Sequence, residues 1–119
     1  MADHSYLAWP FFEAAHKAHA EALDAWAAKA LAHVDHSDTD AACRSLVAKL
    51  GEGRWLLNAA VDPADGAAKL DVRTLCLTRE TLARHDALAD FAFAMQGLGS
   101  GAISLFGTAA QKQAWLPLI

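Results

Sequence analysis

The stretch from Glu80 to Ile119, ETLARHDALADFAFAMQGLGSGAISLFGTAAQKQAWLPLI, decides the fold. Between Ala87 and Phe106 it carries a single charge, Asp90, and it breaks only at Gly107. Thr108 stands three residues before Gln111, the spacing at which hydroxyl and amide can cap a helix start reciprocally. The expectation is a nearly uncharged central helix, Ala87 to Phe106, followed by a capped helix that covers it. A helix apolar on nearly all sides has to be surrounded by protein.

Outward from that stretch the chain reads as helical throughout. It has 119 residues, enough for one domain that buries roughly two thirds of its extended surface. Hydrophobic residues make up 55%, and much of the excess is alanine, which favours an all-α fold of helices in close approach. The net charge is −4 with the two signs interspersed, so the basic stripe that marks nucleic-acid binding is missing. Asp90, Gln96 and three glycines interrupt the longest apolar run, which argues against a membrane span. MADHSYLAWPFFEAAHK lacks the basic start and unbroken apolar core of a signal peptide. Cys43 and Cys76 fit no metal or redox spacing, which predicts a reduced, cytoplasmic pair.

Pro10 is suited to open a helix, and the apolar spacing of Phe11, Phe12, Ala15, Ala18, Ala22, Leu23, Trp26, Ala27, Ala30, Leu31 and Val34 predicts one from Pro10 to His33. The polar His36–Asp40 turn leads to a second helix, Ala41 to Leu50, ended by Gly51 and Gly53. Trp55 to Leu57 fits a helical turn or a strand. Val61 to Lys69, with Pro63 and Asp65-Gly66, is a loop. Asp71 caps a third helix, Val72 to Ala83, burying Leu75, Thr78 and Leu82. Arg84-His85-Asp86 makes a corner before the central helix. That is about five helices and no strand.

The chemistry-bearing spacings are few. Glu13-x-x-His16 has the offset of a di-iron ligand pair, but the chain holds only four glutamates and no second such motif, so a solvated helix face is expected. His33-x-x-His36 reads as a helix C-terminal cap. Gly97-x-Gly99-x-Gly101 follows no strand and lacks the nucleotide-loop pattern. Three helical glycines, each costing about 1 kcal/mol against alanine, instead call for a backbone or ligand in close approach. Neither cysteine has a His–Asp partnership that would make it a nucleophile. The residues alone therefore point to a helical domain whose central helix is too apolar to stand without partners, and one reading of that is a stand-alone module docking a partner through an exposed apolar face. The apolar end, Leu116-Pro-Leu-Ile119, reads as a chain cut short.

Leu77 to Ile119 closely resembles the N-terminal helical domain of the acyl-CoA dehydrogenase family. The residues that carry the likeness are Glu80, Leu82, Ala83, Arg84 and Asp86, then Leu98-Gly99, Gly107-Thr108, Gln111-Lys112 and Leu116-Pro117, matching in order and spacing without gaps. Leu50-Gly51-Glu52 with Trp55-Leu56 resembles a second family segment, in which Arg54 stands where glycine is common. The family's Pro-x-x-x-Gly-Gly loop is reduced here to Pro63–Ala67. The resemblance implies that residues 1–119 form one all-α domain of about five helices, an orthogonal or up-down bundle. It implies that a β-barrel and a C-terminal four-helix bundle complete the enzyme, that the glutamate base lies in the latter, and that this chain alone is inactive. FAD as cofactor, acyl-CoA as substrate, electron-transfer flavoprotein as partner and a homo-oligomeric assembly follow from the same likeness. The positions implied to face the acyl chain and flavin are Asp90, Phe91, Ala94, Met95 and Leu98.

Overall fold

The structure is a computed structural model that describes residues 3–119. Among the described residues there are five α-helices and no strand: α1 (Ala14–Ala30), α2 (Thr39–Glu52), α3 (Val72–His85), α4 (Ala87–Phe106) and α5 (Ala109–Trp115). Short 3-10 turns occupy Ser5–Ala8, Trp55–Asn58 and Leu116–Leu118. Trp55 to Leu57 is thus a helical turn rather than a strand. None of the helices is long and apolar enough to cross a membrane among the described residues.

Polar residues fix where the helices start. Asp38 accepts from the Ala41 N–H at 3.0 Å, and Asp71 from that of Arg73 at 3.1 Å. Asp86 serves two helices. Its N–H donates to the Leu82 carbonyl to close α3, while its carboxylate accepts from Leu88 and Ala89 to open α4. One residue therefore joins the two helices and sets their corner. Thr108 and Gln111 form the reciprocal cap expected of α5.

The first helix departs from expectation at both ends. It starts at Ala14, not Pro10, because Glu13 is its extended N-cap and exchanges bonds with His16. His16 is buried, not solvated. Its Nδ1 accepts from the Glu13 N–H at 2.9 Å, which leaves Nε2 to carry the proton donated to Asp71 at 2.7 Å. The buried stripe consequently runs through His16, Ala20, Leu23, Ala27 and Leu31, while Phe11, Ala15, Ala18 and Ala22 are exposed. Lys49 donates to the Ala30 carbonyl at 3.0 Å and satisfies part of the free end of α1. His36 caps nothing on α1 and instead pairs with Asp86 at 2.9 Å. The second and third helices run slightly longer than read, and Leu75 is half-buried rather than buried.

Packing follows the apolar faces. α3 packs against α1 and α4, and α2 packs against α4. The core joins Leu23, Ala27 and Leu31 to Leu46, Leu50, Leu56, Leu82, Ala89, Ala92 and Phe93. Across the α1–α3 seam Asp24 takes bonds from His85 at 2.8 Å and Arg84 at 3.1 Å. The Thr78 hydroxyl donates to the Thr74 carbonyl, so it accepts from His19 Nε2 at 2.7 Å. Burial, then nearby His16, holds the His19 pKa below the ordinary imidazole value. The N-terminal segment is tied to α3 by Tyr6, whose hydroxyl donates to Glu80. The assembly is a slab, 44 × 42 × 18 Å. A slab this thin cannot enclose a 20-residue helix on every side.

After α2 the chain reverses through Arg54, which adopts φ 62° and ψ 19°, the left-handed region. This is where the family resemblance favours glycine, and the backbone supplies the reason: a Cβ is strained there and glycine is not. The Arg54 side chain is exposed and makes no hydrogen bond among the described residues, and glycine keeps the backbone N–H that donates to the Gly51 carbonyl at 2.9 Å. Arg54→Gly is therefore expected to raise stability by about 0.5–1 kcal/mol, the relieved strain exceeding the entropy glycine adds to the unfolded chain. Urea denaturation followed by circular dichroism measures it, and a lower midpoint would contradict it.

Candidate functional site

The unusual surface lies on α4. Its inward face carries Ala89, Ala92, Phe93, Ser100 and Ser104, all buried. Both serines are bonded: Ser100 Oγ donates within α4 to the Gln96 carbonyl at 2.8 Å, and Ser104 Oγ accepts from the N–H of Val61, distant in sequence, at 3.4 Å. The outward face carries Phe91, Met95, Leu98, Ala102, Leu105 and Phe106, all exposed. The expectation that α4 is surrounded on all sides is thus overturned within this chain. The expected cover, α5, buries none of its own residues; only Leu116, just beyond it, is buried. α3 and α2 cover α4, and they reach one side of it.

A contiguous apolar face of this kind costs free energy when it meets water, and such faces mark interaction sites. Part of it sinks into a groove between α2 and α4 of about 390 Å³, lined by Cys43, Arg44, Val47, Phe91, Ala92, Met95 and Gln96. The walls are apolar apart from Arg44 and Gln96. Arg44 forms no ion pair among the described residues.

The five positions singled out in the sequence fall in three places. Phe91 and Met95 meet in the groove. Leu98 lies further along the same exposed face, with Ala94 half-buried beside it. Asp90 turns away toward α3, where Arg79 holds both of its oxygens at 2.8 Å through Nε and Nη2. That bond, and the attraction behind it, lifts the Arg79 pKa further above its usual value. Asp90 is mostly covered and fully engaged, so it anchors α4 to α3 and offers no free carboxylate to a ligand.

Sequence reasoning missed Cys43, Arg44 and Val47, because no local signal says which face of α2 meets α4. Leu105 and Phe106 were legible in principle as the continuation of the Phe91–Met95–Leu98 spacing. The glycines behave differently from the expected close approach. A Cβ on Gly97 would make ordinary contact with Ala59, and one on Gly99 or Gly101 would meet open space. Gly53 and Gly107 are the constrained glycines: a Cβ on Gly53 would stand 2.7 Å from the Trp55 indole, whose buried N–H has no partner among the described residues, and one on Gly107 would crowd the Ile103 carbonyl oxygen. No group of three or more His, Cys, Asp or Glu side chains that could hold a metal ion occurs among the described residues. Exposed Cys76 and half-buried Cys43 are both free thiols.

Comparison with known proteins gives one family. The model of that family, described as "Acyl-CoA dehydrogenase, N-terminal domain", matches residues 13–119, nearly the whole chain. No curated protein matches the chain.

Proposed function

Because the chain belongs to the acyl-CoA dehydrogenase family, as its N-terminal domain, we propose that it forms one wall of the acyl-chain pocket of an FAD-dependent enzyme. That enzyme oxidises acyl-CoA thioesters between Cα and Cβ. The observation that carries the reading is the open apolar face of α4, where Phe91, Met95 and Leu98 stand exposed on a helix otherwise bound into the core. An alkyl chain is recognised by apolar surface alone, and this face supplies apolar surface with no charge pointing from it. The other candidates divide by geometry: Ala94 shapes the same wall, and Asp90, locked to Arg79, holds the wall in place.

FAD, when bound, accepts the hydride that leaves Cβ. The residues here fit a packing role beside it and little more. The space over Gly99 and Gly101 is open, and Gln96 is the uncharged polar side chain on the groove. The Pro63–Ala67 loop, whose Asp62 and Asp65 side chains close its own turns, brings no glycine pair for a phosphate. In this reading a β-barrel and a C-terminal helical bundle of the same enzyme bring the flavin contacts and the base, and electron-transfer flavoprotein takes the electrons onward.

Bleaching of the flavin by a chain-length series of acyl-CoA, in the enzyme assembled with this domain, tests the proposal. Removing bulk from the wall, as in Phe91→Ala and Met95→Ala, is expected to shift kcat/KM toward longer chains. The shift should reach about tenfold relative to short ones, since each extra methylene accommodated is worth roughly 1–3 kcal/mol. Identical chain-length profiles in wild type and both variants would remove α4 from the pocket.

A further inference from the structure

The groove between α2 and α4 is apolar except at Arg44, on the α2 wall, and Gln96, on the α4 wall. A plain alkyl chain has no use for either. Arg44 is exposed and unneutralised. The arginines of α3 are each paired, Arg73 with Glu13 and Asp71, Arg79 with Asp90, and Arg84 with Asp24. Arg44 has no ion pair among the described residues, although Asp40 stands one turn earlier on α2 at the spacing where such pairs form. Asp90 of α4 cannot serve, because Arg79 holds both of its oxygens. No acidic residue lines the groove, so it carries a net positive charge on apolar walls.

We propose that this groove receives the far end of an acyl chain that terminates in a carboxylate, and that Arg44 binds that carboxylate. The proposal rests on the acyl-pocket reading and narrows its substrate class to ω-carboxyacyl-CoA thioesters. A chain lying along the outward row from Leu98 through Met95 to Phe91 covers about 10 Å of helix. Its tip then enters the groove, where Phe91 and Met95 form the α4 wall.

Desolvation decides which tip fits. Once the chain fills the groove, water leaves the guanidinium. A methyl tip returns nothing for that water, and an unpaired charge against apolar walls is costly. A carboxylate returns charge-assisted bonds in the forked geometry that arginine offers. Gln96 adds an amide donor from the opposite wall. The filled groove also lowers the local dielectric, which strengthens the attraction.

Bleaching of the flavin by matched sets of acyl-CoA, in the enzyme assembled with this domain, tests the proposal. Members of a set share one chain length and end in a carboxylate, its neutral methyl ester or a methyl group. Wild type is expected to favour the carboxylate over both neutral ends by about tenfold in kcat/KM, since the groove is partly open to water. Arg44→Gln should abolish that preference, and Arg44→Lys should keep part of it, having the charge without the fork. Each ratio is taken within one variant, so a general loss of activity leaves it unmoved. A wild type without the preference, or a preference that survives in Arg44→Gln, would overturn the proposal. So would equal losses on all three substrates, which would put Arg44 on the CoA phosphates that they share. Unchanged chain-length profiles in Phe91→Ala and Met95→Ala would remove the pocket itself and this proposal with it, so the two failures are told apart.

Discussion

Phe93→Ala is expected to cost about 3–5 kcal/mol, the usual cost of emptying a buried aromatic site. Phe91→Ala, two residues earlier, should change stability by no more than about 0.5 kcal/mol. The two phenylalanines share one helix and differ in the side they face. Phe93 is among the largest fully buried side chains and joins α4 to the Leu46, Leu50 and Leu82 core. Phe91 stands half in solvent. A domain of this size has only about 5–15 kcal/mol of net stability, so the first substitution removes a large share of it. Urea denaturation followed by far-ultraviolet circular dichroism separates them. A comparable loss for Phe91→Ala would mean that its exposed face is structural, and the case for a functional face on α4 would fail.

The second large effect falls on Asp71, which ties two helix starts together. One oxygen accepts from the N–H and Nε of Arg73, and the other from His16 and the Thr74 hydroxyl. Arg73 in turn reaches the Phe11 carbonyl and Glu13, so the N-termini of α1 and α3 share one polar knot. Asp71→Ala removes the α3 cap and leaves the buried Nε2–H of His16 without its acceptor. The expected cost is about 2–4 kcal/mol, the loss of a cap added to an orphaned buried donor. His16→Ala in the Asp71→Ala background should then cost much less than it does alone, because the shared bond is already gone. Additive losses would show that the pair is not coupled.

The same carboxylate gives a pH dependence. Burial pushes the Asp71 pKa up, but the bonds from His16, Thr74 and Arg73 outweigh it and hold the group well below the usual carboxylate range. Asp24 is lowered too, first by its bond to His85. A folded pKa below the unfolded one means the stabilisation is fully present above the unfolded value, near pH 4, and is lost as pH falls toward the folded one. Stability should therefore decline below about pH 4, with a shallower decline in Asp71→Asn. An unchanged acid limb in that variant would show that the knot does not set it.

The existence of five helices and the caps at Asp38, Asp71 and Thr108 could be read from local chemistry, because each of those caps acts within a few residues, where spacing is informative. Gly51, read as ending α2, instead lies inside it, and the helix runs on to Glu52. The misreadings cluster where a distant partner decides. Pro10 looked like a helix start until Glu13 and His16 closed their reciprocal cap, and His16 looked solvated because its partner, Asp71, is far away in sequence. Asp90 looked available until Arg79 was found across the α3–α4 corner.

The sequence by itself determined the helical class and the excess apolarity of α4, because composition and spacing are properties of the chain, and its motifs carried the resemblance to the family. It could not say which side of α4 is spent on the core. A helix apolar all round has no periodic contrast to mark its inner face, so only the positions of α2 and α3 decide that Phe93 is buried while Phe91, Met95 and Leu98 remain open.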